Sequence, residues 1–357
     1  MTSHALTRPL LIAAAFAIAL IGLTGCGSDD ATGGPQLAYT TAADYVADSG
    51  FQGMAYVSRG GQVVLNQGFG PADRATGELN GADKRYRIGS LTKAFTALAV
   101  VRLKADGLIT SFDDPVSTYF PDYPRGDEIT LRHLLTHRSG LPDYLAFVDE
   151  TQAHDPEELV EAVMDEPLHF TPGSEFEYSN TNYAALGVLI EARSGVDYMT
   201  YLRTAVLEPL GLEHIAYGTD PITADDDARG YRDGAPAAPT HMSVPYAAGA
   251  LVSTAGDLAA WGESVLAGTL IPAADRADVL PPMPADDGAN AVGMGWFSLN
   301  FGGTQVYQHG GDIHGFTAVI ALVPDTDGVL VLLSNEETQS VLRYEVMEML
   351  LEHELVD

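Results

Sequence analysis

A hydroxyl and an amine stand three residues apart in Ser90-Leu91-Thr92-Lys93, a spacing that places both on one face of a helix. A serine hydroxyl attacks a carbonyl efficiently only when a neighbouring base takes its proton. A buried lysine can be that base, because desolvation lowers its pKa. At a helix N-terminus Ser90 would also lie beside unsatisfied N–H groups and the positive end of the helix dipole. The chemistry this describes is acyl transfer through a covalent serine ester. Alone the pair is a weak signal, since a plain N-cap serine gives the same pattern.

Two further clusters could complete such a site. Tyr178-Ser179-Asn180 follows the turn-forming Thr171-Pro172-Gly173, and His309-Gly310-Gly311 stands close to the C-terminus. The glycines of the last cluster would let a substrate lie against the backbone of an edge strand flanking the site. His133 and His137, four residues apart, could chelate a metal, but no third ligand in a zinc-hydrolase pattern accompanies them, and no metal or cofactor is expected. A Gly-x-Ser-x-Gly nucleophile elbow is absent. Trp296, Phe316 and Tyr246 are candidates to line a cleft, although aromatic residues more often fill cores.

The elements that must position these residues are legible in outline. Residues 38–49 read as a helix stopped by Gly50. Runs 54–58 and 63–69, joined by Arg59-Gly60-Gly61, read as a β-hairpin. Tyr86-Arg87-Ile88-Gly89 leads into Ser90, after which Leu91, Phe95, Leu98, Val101 and Leu108 keep a helical period, with Gly107 as its C-cap. Between about 110 and 290 short helices (131–137, 156–165, 181–193, 255–266) alternate with loops rich in Pro and Gly. β-patterned runs return at 305–308, 316–323 and 329–334, followed by a helix over 340–355. Strands at both ends around a helical middle predict an α/β fold whose one sheet is assembled from both termini. The α/β lobe would span about 37–108 and 291–357, with an inserted, mainly helical lobe at about 109–290.

In order and spacing, Ser90-x-x-Lys93, Tyr178-x-Asn180 and His309-Gly310-Gly311 resemble the three boxes of serine β-lactamases and penicillin-binding proteins. The likeness is nearest to class C β-lactamases, D-alanyl-D-alanine carboxypeptidases and family VIII esterases. It extends over roughly 40–355 and includes the stretches Leu134-Leu135-Thr136-His137-Arg138-Ser139-Gly140-Leu141-Pro142, Ala248-Gly249-Ala250-Leu251-Val252-Ser253-Thr254 and Gly293-Met294-Gly295-Trp296. The resemblance implies a β-lactamase/transpeptidase-like fold, an antiparallel sheet flanked by helices. It also implies a serine hydrolase in which Ser90 is acylated and water then frees the enzyme. Carried over, Tyr178 is the general base and later the acid toward the leaving group, with a neutral Lys93 as the rival base. Asn180 holds Lys93 and the substrate amide, and the N–H groups of Ser90 and Asp312 form the oxyanion hole. His309 departs from the lysine that many β-lactamases carry there, which moves the expectation away from β-lactam turnover. The expected activity is that of a D-Ala-D-Ala carboxypeptidase-like or broad β-lactamase-related serine hydrolase, with a family VIII-type esterase or a feebly catalytic lipoprotein that binds penicillins or muropeptides as alternatives.

The N-terminal stretch points to export. Arg8 precedes an apolar run from Leu10 to Leu23, short for a membrane span, which needs about 20 apolar residues, but of signal-peptide length. It ends in Leu23-Thr24-Gly25-Cys26, which resembles a bacterial lipobox with Cys26 as the lipidated residue. Residues 1–25 are thus expected as a lipoprotein signal peptide, 26–36 as the lipidated cysteine and its tether, and 37–357 as the hydrolase domain. The expected product is a monomer anchored to the cell envelope, facing the periplasm or exterior and acting on a small-molecule or peptide substrate. Cys26 is the only cysteine, so no disulfide braces the body. Lys84, Lys93 and Lys104 are the only lysines among 49 acidic residues, and the formal net charge is −31. That balance argues against nucleic acid, which needs basic patches, and weakens encounter with anionic substrates at low salt. It suits a high-salt source as well as it suits a GC-rich genome that favours arginine.

Overall fold

The computed structural model describes residues 41–121, 123, 125–284 and 290–356. The signal and lipidation assignments at 1–36 lie outside the described residues. One antiparallel sheet organises the rest. Its strands are β1 (Gly53–Arg59), β2 (Gln62–Phe69), β3 (Asn290–Val292), β4 (Phe297–Phe301), β5 (Thr304–Ile313), β6 (Phe316–Val323) and β7 (Gly328–Ser334). They run in the order β3-β4-β5-β6-β7-β1-β2, so an early and a late segment of the described residues meet where β1 pairs with β7, Tyr56 opposite Val331.

The central strands are apolar without a polar alternation because both faces are covered, a pattern that follows from burial on two sides. Ala318, Ile320 and Leu322 of β6 and Val329, Val331 and Leu333 of β7 join the larger core, on the side of helices α2 (Thr92–Ala105) and α4 (Ala255–Ala267). Val319, Ala321, Val323, Leu330 and Leu332 point the other way. They meet Val46 of α1 (Ala42–Asp48) and Val346, Met347 and Leu350 of α5 (Leu342–Leu350). Truncating one of these, Ile320→Ala for instance, should cost about 2–5 kcal/mol.

Helix α2, which follows Ser90, is buried around nearly its whole circumference, from Thr92 to Leu103. That explains why its sequence is apolar on all sides. Against it packs α3 (Asn180–Ser194), which opens on the Tyr178 cluster and closes at Gly195 in the left-handed conformation. Phe95 stacks on Trp261 with ring centroids 3.8 Å apart, and Trp261 on Trp296 at 5.2 Å. Trp296, Phe316 and Tyr246 are therefore core residues rather than cleft lining.

Several bounds shift for local reasons. The first helix begins at Ala42 because Thr41 caps it, accepting the Asp44 N–H at 3.2 Å. β5 is longer than the β-patterned run 305–308, since its glycines continue the ladder with β6 to Ile313. The short helix at 131 stops at Leu135, and His137 takes a left-handed backbone (φ 54°). The last helix ends at Leu350 and relaxes into a wider turn over Leu351–Leu355.

Candidate active site

Ser90 sits in a single tight turn, Gly89–Leu91, that runs into α2. Gly89 has φ 51°. A Cβ there would fall 2.8 Å from the Asp312 carbonyl oxygen, and a Cβ on Gly311 would fall 1.9 Å from that of Ile88. The Ser90 turn and strand β5 thus lie backbone against backbone, an approach only glycine permits. This contact sets Ser90 beside Asp312.

Below Ser90, Lys93 is completely buried. Its Nζ lies 3.0 Å from Ser90 Oγ, 2.8 Å from Asn180 Oδ1 and 2.7 Å from the Ala248 carbonyl oxygen. Burial lowers its pKa to about 7, and Asp143 opposes that shift. Asp143 also fixes Asn180, accepting its backbone N–H at 3.0 Å and its Nδ2–H at 2.7 Å. With Nδ2 committed to a carboxylate, Oδ1 is the atom turned toward Lys93.

Tyr178 lies over the lysine, with Nζ 4.8 Å from its ring centroid. Its ring stacks on His137 at 4.3 Å. Burial holds the phenol pKa well above its ordinary value, against a hydrogen bond with Ser90 that lowers it. His137 Nδ1 accepts the Ser179 N–H at 3.2 Å, so its ring proton is on Nε2. Burial, then Lys93 and His309, keep it neutral. His133 uses its Nδ1 to accept the Thr130 N–H in a capping box. Both histidines therefore have structural partners, and among the described residues no group of three His, Cys, Asp or Glu could hold a metal.

The fourth side is β5. His309 is buried, its Nδ1 2.6 Å from the Gly310 carbonyl oxygen, and burial and Lys93 push its pKa down to about 3. Tyr344 lies against Gly310, leaving no room for a Cβ. Asp312, the half-exposed residue after the glycines, receives two hydrogen bonds from the buried Arg343 of α5, at 2.6 and 2.8 Å. Arg343 also donates to the Gly311 carbonyl at 2.8 Å.

Ser90, Lys93, Tyr178, Asn180, His309, Gly310, Gly311 and Asp312 are thus brought to one place. Asp143, the Ala248 carbonyl and Arg343 were not foreseen. Asp143 directly follows the stretch ending at Pro142, and Ala248 opens another quoted stretch, but a carbonyl leaves no side-chain signature. Arg343 gives none either, being one arginine in an acidic amphipathic helix.

A serine against a buried lysine, beside the glycine-bearing strand β5, which lies third of seven strands rather than at the sheet edge, defines a serine hydrolase of the β-lactamase/transpeptidase-like fold. The family described as Beta-lactamase matches residues 40–350, and the chain belongs to it. A relative from Bacillus subtilis (strain 168), named as the penicillin-binding protein PbpX, is 27% identical over 304 residues, covering 84% of this chain and 74% of its own. Two solved structures are similar over 87% of the chain, each at 25% identity. A penicillin binding protein from Bacillus halodurans has a TM-score of 0.76 with 98% of its chain covered. A D-amino acid amidase from Ochrobactrum anthropi SV3, complexed with L-phenylalanine, has 0.77 with 97% covered.

Proposed function

We propose that this protein hydrolyses amides or esters of D-configured acyl groups through an acyl-Ser90 intermediate, with Lys93 as the base. The observation that carries the reading is the set of partners around Lys93 Nζ. Two of the three, Asn180 Oδ1 and the Ala248 carbonyl, can only accept hydrogen bonds. A neutral amine has two N–H bonds to give them, so its lone pair is left facing the Ser90 hydroxyl. A pKa near 7 makes that neutral form abundant at physiological pH. A buried phenolate at Tyr178 would be the costlier base.

In this mechanism Ser90 Oγ adds to the substrate carbonyl while its proton moves to Lys93. The oxyanion meets the N–H groups of Ser90 and Asp312. On collapse, the leaving group takes a proton from the Lys93 ammonium, relayed by the Tyr178 hydroxyl. Water then attacks the ester, with its proton passing back along the same route, and Ser90 is regenerated. Asn180, held by Asp143, positions Lys93 and the substrate amide. Neutral His309 shapes the edge of the cleft without supplying a charge.

The D-configured acyl group rests on relatives named as penicillin-binding proteins and a D-amino acid amidase. The leaving group stays open between D-alanine, ammonia and an alcohol. The same names support a place at the cell envelope, where an acylated Cys26 would tether a monomer. A panel with a D-Ala-D-Ala peptide, a D-amino acid amide, a short-chain nitrophenyl ester and a chromogenic cephalosporin tests the reading. Turnover of at least one is expected, abolished in Ser90→Ala; full activity in that variant would sink the mechanism. Stoichiometric acylation without turnover would instead favour a penicillin or muropeptide sensor. Cys26→Ser should leave a precursor that incorporates no labelled lipid, and labelling of that variant would refute the anchor.

A further inference from the structure

Beside the proposed oxyanion position, the end of β5 carries an ion pair whose two halves differ in access. Asp312 keeps 47% of its side chain exposed, whereas Arg343 keeps 3%. Both carboxylate oxygens of Asp312 are engaged by the two terminal nitrogens of that one guanidinium. This is the planar, two-bond geometry with which arginine would otherwise grip the carboxylate of a ligand. The remaining cationic candidates at the site are also committed. Lys93 is spent on Ser90, Asn180 and Ala248, and His309 is buried with Nδ1 tied to Gly310.

Resting on the acyl-hydrolase reading above, we propose that Asp312 is a specificity-determining residue: it fills the carboxylate-binding position on Arg343 from within the chain. A substrate whose leaving group ends in a free carboxylate would meet the exposed Asp312 oxygens and find Arg343 occupied. One that ends in an uncharged amide, or carries an ammonium, meets no such penalty. Of the leaving groups left open, the site then prefers ammonia or an alcohol over D-alanine with a free carboxylate. The strongly negative net charge of the chain acts in the same direction at long range.

The test compares one D-Ala-D-Ala-ended peptide with its C-terminal amide, with a nitrophenyl ester as activity control. The full-length detergent-solubilised protein is assayed beside Asp312→Asn and Asp312→Ser. The readout is the ratio of kcat/KM between the two peptides, which cancels any general loss from disturbing the Asp312 backbone. The wild type should favour the amidated peptide by about tenfold or more, since juxtaposed like charges disfavour a wrong partner. Asp312→Ser removes the side chain that covers Arg343 and Asp312→Asn removes its charge, so the ratio should fall toward one or invert, most in Asp312→Ser. Equal or better cleavage of the acid-ended peptide by the wild type would overturn the inference. So would a ratio unmoved in both variants with melting temperatures preserved, or ester turnover with neither peptide cleaved. If the wild type turns over nothing and Ser90 stays unacylated by mass spectrometry, the acyl-hydrolase reading itself falls, and this one with it.

Discussion

The two flanks of Ser90 are built on opposite principles. On one side Lys93, Asn180 and the Ala248 carbonyl form a buried polar knot, walled by Tyr178, His137 and Tyr183. On the other, β5 offers its backbone and a half-exposed ion pair. In the proposed mechanism the first flank governs protons, because desolvation there lowers the Lys93 pKa to about 7. The second governs shape and charge at the cleft edge, because glycines allow contact and Asp312 reaches solvent. Reactivity and selectivity can therefore be broken separately.

The largest effect belongs to the buried flank. Lys93→Arg keeps the positive charge but cannot supply a lone pair, since arginine is not deprotonated in proteins. It should lower kcat/KM by about 10³ or more, within the range general-base losses reach. In the wild type, kcat/KM for an uncharged substrate should rise with pH through about 7, the pKa to which burial lowers Lys93, because the proposed mechanism uses the neutral amine. A profile flat between pH 5 and 9 would contradict Lys93 as the base. One rising only toward 10 would return that role to Tyr178.

Next comes the wall. Gly311→Ala drives a Cβ to 1.9 Å from the Ile88 carbonyl oxygen, so β5 and the Ser90 turn must separate. Displacing one oxyanion donor costs about 10²–10³ in rate, and a fall in kcat with KM nearly kept is the expected pattern. Unchanged kcat would mean that Asp312 N–H takes no part. A smaller loss, about 10–100-fold, is expected for Asp143→Asn, which leaves the geometry isosteric but frees the Asn180 amide to flip, as loss of an orienting partner does elsewhere. Its pH limb should also move down, because Asp143 is the group that opposes the lowering of the Lys93 pKa.

The flanks also differ in how far they could be read in advance. The wall was legible because His309-Gly310-Gly311 is contiguous, and because 316–323 and 329–334 are apolar enough to fix a buried sheet. The hairpin of β1 and β2 followed from Gly60 and Gly61. The floor was legible only through its side chains. Lys93 and Asn180 carry motif signatures, but Ala248 acts through a carbonyl, and Asp143 is one of 49 acids. Arg343 was invisible because its partner is 31 residues away on another element, a pairing no local pattern encodes. The expected cleft aromatics failed for a related reason. Trp296 and Tyr246 belong to the packing under α2 and α3, where tertiary contacts and not local polarity decide exposure.

The smallest effect concerns stability, and it separates the flanks by pH. The folded-state pKa of Lys93, about 7, lies below its ordinary 10.5. Between those values the unfolded chain binds more protons than the native one, so unfolding free energy rises with pH across that window. Below about pH 7 the amine is protonated in both states, and the full cost of an ammonium in a buried site is present. Each unit of lowering corresponds to about 1.4 kcal/mol, partly masked in practice because loss of the lysine leaves the Asn180 and Ala248 oxygens unpaired. Lys93→Met should therefore lack the rise that the wild type shows from pH 7 to 10.5, whatever its absolute stability. Asp312→Asn does not touch that amine and should leave that slope as it is. Urea unfolding of the three proteins at pH 6 and pH 10 distinguishes them. Parallel curves for wild type and Lys93→Met would mean that the buried amine carries its charge throughout, and that the floor beneath Ser90 is less dry than its packing implies.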